Sequence, residues 1–158
     1  MKVPAAPKIP LIVLVAFLLV PSATGADSAA GFLKTVKGAA SIIRQGKPIP
    51  AAVGSRVFKD DTLRTGPDGS LGIVLLDDTV VSLGPKSEVA LRDFEFSPAE
   101  GRLSLFIRIS KGTAVFLSGI IAKLSPKSVR VETPKANIGV RGTRFAVKVE
   151  GDSGNGGR

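Results

Sequence analysis

Residues 63–91 read Leu-Arg-Thr-Gly-Pro-Asp-Gly-Ser-Leu-Gly-Ile-Val-Leu-Leu-Asp-Asp-Thr-Val-Val-Ser-Leu-Gly-Pro-Lys-Ser-Glu-Val-Ala-Leu. Two apolar runs, Leu71–Leu76 and Thr79–Leu83, are cut out by three turn signals: Gly66-Pro67-Asp68-Gly69, Asp77-Asp78 and Gly84-Pro85. Gly supplies positive φ, Pro presets φ near −65°, and Asp bonds its own neighbouring backbone, so each cluster reverses the chain by a different device. Strands this short, with turns every 8–12 residues or fewer, predict an all-β domain.

The pattern continues outward. Before it, Val36–Arg44 (with Gly38 near its start) and Val53–Phe58 read as strands, and Lys59-Asp60-Asp61 as a polar turn. After it, Val89, Leu91, Phe94 and Phe96 carry the apolar sequence with a change of phase at Arg92-Asp93. Leu103, Leu105, Ile107 and Ile109 alternate with Ser104, Phe106, Arg108 and Ser110. That period of two places one row on the core face and leaves Phe106 as the exception. Gly112 precedes a further strand, Thr113–Leu117; Val129 and Val131 alternate with Arg130 and Glu132; and Phe145, Val147 and Val149 alternate at the end. Ser118–Leu124 reads equally as a short helix or a strand, because Gly119 and Ile120-Ile121 suit neither pattern decisively.

Two architectures fit: a compact roll or short solenoid-like stack of strands, and a two-sheet β-sandwich. The repeated strand–turn–strand unit between 63 and 91 favours the roll, although it is not an exact internal repeat. The chain beyond residue 26 is long enough to bury roughly two-thirds of its unfolded surface around one core. We divide it into a segment 1–26, an all-β domain 27–152 and a Gly-rich polar tail 153–158.

The first segment has the layout of a cleaved signal peptide: Lys2 and Lys8, an apolar run Leu11–Val20, then Pro21-Ser22 and the small residues Ala23-Thr24-Gly25-Ala26. A membrane anchor is the alternative, but it needs about 20 apolar residues. No Cys follows the run to accept a lipid. The expected location is therefore periplasmic or secreted, or inner-membrane anchored facing the periplasm if the segment is retained. Cleavage after Ala26 removes two lysines and no acid, which takes the net charge from +9 to +7. The cations are spread singly and have no aromatic stacking platform, so nucleic acid is not an expected partner. Membrane contact is expected at most through an uncleaved N-terminal segment.

The chain contains no His and no Cys. The commonest general base, the thiol nucleophile and the usual zinc ligands are thus missing, and we expect no catalysis, no cofactor and no metal. Ser55, Ser70, Ser82 and Ser118 lack a His to activate them. Asp60-Asp61 and Asp77-Asp78 are adjacent in sequence, but neighbours on an extended chain point to opposite sides. They read as turn residues rather than paired carboxylates.

The stretch 133–145, Thr-Pro-Lys-Ala-Asn-Ile-Gly-Val-Arg-Gly-Thr-Arg-Phe, reads as a tight structural corner. Pro134 biases Thr133 toward extended backbone, and Gly139 and Gly142 allow positive φ or close approach of another chain segment. Arg141 and Arg144 have two roles open to them. They can fix the corner through backbone carbonyls or an acid such as Glu132, or grip a carboxylate on a partner. Thr133, Pro134, Gly139, Arg141, Gly142, Thr143, Arg144 and Phe145 are the candidate corner and contact residues.

An ordered set of short motifs resembles the FecR domain family, named after the periplasmic part of the iron-dicitrate regulator. Asp61-Thr62-Leu63-Arg64-Thr65 is similar to its Gly-Asp-x-Leu-x-Thr opening, with Asp60 in place of the first Gly. Asp77-Asp78-Thr79 resembles its Asp-Gly-Ser/Thr turn, with Asp78 in place of Gly. Leu83–Ser87 resembles Leu-x-Pro-x-Ser, Gly112 to Phe116 resembles Gly-x-x-x-Phe, and Thr133-Pro134 with Gly139–Thr143 and Phe145 completes the set. The resemblance runs from about Gly38 to Val149. It implies a non-enzymatic, all-β envelope domain with a protein or glycan partner, acting as a binding or scaffolding module or as an accessory to signalling from an outer-membrane transporter to a sigma factor. Ten residues precede the apolar run, so a direct transcription relay within this polypeptide is not expected.

Overall fold

A computed structural model describes residues 2–5, 28–140 and 142–151. The apolar run Leu11–Val20, the expected cleavage region, Arg141 and the tail 153–158 lie outside these. Strand accounts for 57% of the described residues, and the sheet curls into a half-barrel. Twelve strands follow in order: β1 (Gly31–Lys37), β2 (Ala40–Arg44), β3 (Lys47–Pro50), β4 (Arg56–Val57), β5 (Thr62–Thr65), β6 (Ser70–Leu75), β7 (Val80–Leu83), β8 (Glu88–Ser97), β9 (Arg102–Leu117), β10 (Val129–Thr133), β11 (Ala136–Gly139) and β12 (Arg144–Val149). One short helix, α1 (Ile120–Leu124), and a 3₁₀ turn (Pro126–Ser128) sit between β9 and β10.

The strand order is β3-β2-β5-β8-β9-β7-β6-β1-β4, with β10 and β12 also pairing to β9, and β11 to β10. β9 runs through both halves. Its first part pairs with β8 and, in parallel, with β10; its second part pairs antiparallel with β7 and β12. The sheet is thus continuous through β9, which makes it a roll rather than two separate sheets. Leu33, Ile42, Leu63, Ile73, Val81, Ile107 and Phe116, drawn from both halves, belong to one buried cluster. Curling brings the apolar rows of the two halves onto a shared core. Leu105, Ile107 and Ile109 are buried in it, and Phe106 stands off that row as its phase requires.

Gly112 makes the passage of β9 between the halves possible. It has φ +87°, and a Cβ there would overlap the Ser87 backbone. Ser87 is fully buried. Its hydroxyl accepts the Thr113 N–H (3.0 Å) and lies 3.1 Å from the Thr113 carbonyl. The Thr65 hydroxyl accepts the Ser87 N–H (2.9 Å) and donates to the Gly84 carbonyl (2.7 Å). Three of the sequence motifs meet here, and their small polar residues satisfy backbone groups that burial would otherwise leave unpaired. No buried side-chain polar atom lacks a partner among the described residues.

The acidic pairs are turn residues that diverge in space. Asp61 is buried and accepts the Arg44 Nε–H (2.9 Å), an Arg44 Nη2–H (2.8 Å) and the Phe58 N–H (2.8 Å). The Asp61 hydrogen bond raises the Arg44 pKa above its ordinary value. Arg44 also lies over the Phe58 ring at 4.5 Å. Asp60 and Asp78 both have φ +65°. They occupy the two places where the motifs carry Gly, and Asp is among the few other residues that tolerate left-handed backbone.

Several boundaries differ from the sequence reading. Val36–Arg44 is split between β1 and β2, which join different halves of the roll across the corner at Gly38. Of Val53–Phe58, Arg56-Val57 is strand, and Val53 lies exposed in a turn. Val53, Val57 and Phe58 carried that expectation, but the Gly54-Ser55 turn claims the segment: the Gly54 N–H donates to the Leu33 carbonyl and the Ser55 N–H to the Ala52 carbonyl. Ser118–Leu124 resolves as helix from Ile120. The phase change at Arg92-Asp93 is a bulge between Leu91 and Asp93.

Candidate functional site

The helix α1 is too short to stand alone, and its start is held from another loop. The Ile120 N–H donates to the Asp77 carbonyl (2.6 Å), the Ile121 N–H to Asp77 Oδ2 (3.3 Å) and the Gly119 N–H to the Thr79 hydroxyl (3.1 Å). The Thr79 hydroxyl itself donates to Asp77 Oδ2 (2.8 Å), and Asp77 is fully buried. Asp77 and Thr79 therefore cap the helix across 40 and more residues of sequence. Ile121 anchors α1 in the core and leaves Leu124 exposed.

Between α1 with its following 3₁₀ turn and the β10–β11 hairpin lies an open groove of about 1150 Å³. Phe106, Ala122, Leu124, Val129 and Ile138 give it an apolar lining. Lys127, Arg130 and Glu132 also line it. Arg130 stacks over Phe106 at 5.3 Å, which uses the ring that stood off the core row. Glu132 lies 3.9 Å from Arg108.

The residues 133–145 form two turns rather than one corner. Thr133 ends β10, with Pro134-Lys135 as a two-residue hairpin tip. The Thr133 hydroxyl accepts the Ala136 N–H (3.0 Å) and donates to the Ala136 carbonyl (3.1 Å). The chain then leaves β11 at Gly139 and crosses to β12 in the other half of the roll. Thr143 closes the crossing by accepting the Ser118 N–H at its carbonyl (2.8 Å), and Phe145 stacks on Phe116 with ring centres 4.7 Å apart. Gly142 has φ +108°, as its place requires. Gly139 has neither positive φ nor a close neighbour at its Cβ position, so neither reason expected for a glycine operates there. The structure brings Gly139 and Gly142 to the groove; Thr133, Pro134, Thr143, Arg144 and Phe145 do not line it. Arg141 lies outside the described residues. Its expected acid, Glu132, has Arg108 as its neighbour.

The groove wall at Leu124, Lys127, Val129 and Arg130 escaped the sequence reading. A signal was present in the charges. Between residues 101 and 149 stand ten Lys and Arg against a single acid, Glu132. Residues 1–100 carry eleven basic and ten acidic side chains. The cations are spread singly along the chain, and in the structure Arg102, Arg108, Lys111 and Lys148 meet carboxylates while Lys127 and Arg130 reach the groove. Lys123, Lys127, Arg130, Lys135 and Arg144 have no carboxylate within 4.0 Å among the described residues. No group of three or more potential metal-ligating side chains occurs among the described residues, nor any helix long and apolar enough to cross a membrane.

No curated protein and no solved structure matches the chain. The family model described as FecR protein matches residues 61–155, beginning at the Asp61 that pairs with Arg44. The stretch from Gly38 to Asp60 lies outside that match. The matched span contains the Thr65–Ser87–Gly112 junction, the Asp77 cap, the groove and both turns of 133–145, and the chain belongs to the FecR protein family.

Proposed function

We propose that the protein is a non-catalytic, exported binding module of the bacterial envelope, whose docking face is the groove between α1 and the β10–β11 hairpin. FecR membership supports a setting related to envelope signalling. The observation that carries the binding reading is an open apolar groove whose lining includes two cations, Lys127 and Arg130, with no carboxylate within 4.0 Å among the described residues. Apolar lining supplies affinity through desolvation, and the surrounding cations steer and select. The N-terminal segment supports export to the periplasm. The lack of His and Cys supports a role in binding rather than reaction.

The test is in-cell photocrosslinking from Asn137, which lines the groove, and from Ile49 on the opposite edge strand β3. A specific protein adduct from Asn137 that is absent from Ile49 is the expected result. An outer-membrane transporter or a sigma-factor regulator in that adduct favours the signalling role, and another envelope protein favours scaffolding. Equal capture from both positions, or none from Asn137, overturns the assignment of the face.

A further inference from the structure

We infer, resting on the docking face just described, that its occupant is an extended acidic peptide segment that adds to β11 as a further strand. The argument begins with the sheet's free edges. β3 is blunted by Pro48 and Pro50, neither of which can donate to a ladder, and β4 has two residues. β12 carries exposed Arg144 and Lys148, charges that discourage edge pairing. β11 is Ala-Asn-Ile-Gly, without proline or charge, and among the described residues it pairs with β10 alone.

That unprotected edge coincides with the groove, because 137–140 form part of the groove wall. At Gly139 open space stands where a side chain would be, so the backbone is accessible. A peptide laid along this edge gains main-chain hydrogen bonds that need no particular side chains, and specificity then falls to its alternating side chains. One row meets the apolar lining around Val129 and Ile138, and the other meets Lys127 and Arg130, with the lining's one acid, Glu132, beside Arg108. Alternation of apolar and acidic residues fits that arrangement.

Charge also decides against the commonest alternative, a second copy of this chain. Pairing β11 with β11 brings together two grooves in each of which Lys127 and Arg130 stand without a carboxylate partner among the described residues and the lining's one acid, Glu132, lies beside Arg108. The excess charge thus keeps an open edge from self-pairing and admits an acidic one. An anionic lipid would satisfy the cations but offers no ladder of N–H and C=O groups to β11.

The test measures fluorescence anisotropy of labelled eight-residue peptides against the purified protein. The probes are a Glu-Val repeat, a Lys-Val repeat, and the Glu-Val repeat with proline at a central position. The Glu-Val peptide is expected to bind at least about tenfold more tightly than either other peptide. Its affinity is expected to fall several-fold between about 50 and 300 mM salt. Lys127→Ala with Arg130→Ala is expected to remove about tenfold in affinity, with a melting temperature lowered by no more than about 4 °C through loss of the Arg130–Phe106 stack. Equal binding of the Lys-Val or proline-containing peptide overturns the inference, as does a sedimenting dimer that the Glu-Val peptide fails to dissociate, or binding of anionic phosphatidylglycerol vesicles that displaces no peptide. A protein adduct from Asn137 whose crosslinked segment is helical or basic would reject the acidic strand while leaving the docking face intact.

Discussion

Replacing Asp77 by alanine tests how the groove is built. The Asp77 carboxylate accepts three hydrogen bonds in a fully buried position, from the Thr79 N–H (3.1 Å), the Thr79 hydroxyl (2.8 Å) and the Ile121 N–H (3.3 Å). Alanine leaves two backbone donors without that acceptor, and each buried orphan costs about 1–3 kcal/mol. The hydroxyl can rotate toward another acceptor, and the 3.3 Å bond is the weakest of the three, so the expected total is about 3 kcal/mol. For a domain of this size that corresponds to a fall of roughly 10 °C in melting temperature. Asp77→Asn keeps one acceptor oxygen and is expected to lose about half as much. The loss should also be local. Amide hydrogen exchange should accelerate across 119–125, where the capped helix lies, before it does in β6 or β7. Circular dichroism melts of wild type and both variants, followed by exchange mass spectrometry, make the measurement. A melting temperature for Asp77→Ala within about 1 °C of wild type would refute the capping argument, as would unchanged exchange at 119–125.

Two further perturbations separate backbone from charge effects. Gly142→Ala meets open space at φ +108°, so its cost is conformational alone, about 1–2 kcal/mol, while Gly139→Ala should be neutral; urea denaturation of both variants reads the contrast. Asp93 accepts hydrogen bonds from Lys59 (2.8 Å) and Ser104 (2.6 Å), and these, the Lys59 bond first, hold its carboxyl below the usual carboxylate range. A depressed folded pKa contributes stability that is present above the unfolded value near 3.9 and is lost as pH falls through the lower folded value. Asp93→Asn should therefore be less stable than wild type at neutral pH, by the small margin of an exposed pair. The gap should close only below about pH 4; urea midpoints across acidic pH that keep a constant gap would contradict this.

Much of the fold can be read along the chain because it rests on local chemistry. The turns at 66–69, 77-78 and 84-85 are set by residues whose backbone preferences are intrinsic, and the alternation through Leu103–Ile109 fixes which face is buried before any partner strand is known. The ordered motifs also carried the family. Their meaning was less accessible. Ser87, Thr65 and Gly112 lie far apart in sequence, and the reason for each is a contact with the others at the passage of β9 between the two halves. Gly139 shows the converse: the sequence could suggest a demand for glycine that the tertiary environment does not make.

The candidate site divides in the same way. The sequence by itself determined an all-β chain, an apolar N-terminal segment of signal-peptide layout, the absence of His and Cys chemistry, and a charge imbalance between residues 1–100 and 101–149. These are properties of composition and of short-range backbone preference. Only the tertiary structure decided that Phe106 would meet Arg130, that Asp77 would cap a helix more than forty residues away, and that the unprotected edge of β11 would line an apolar groove. Each of these depends on how the sheet curls and which strands β9 joins. That is set by the packing of one core shared by both halves, a long-range balance that no local window of residues contains.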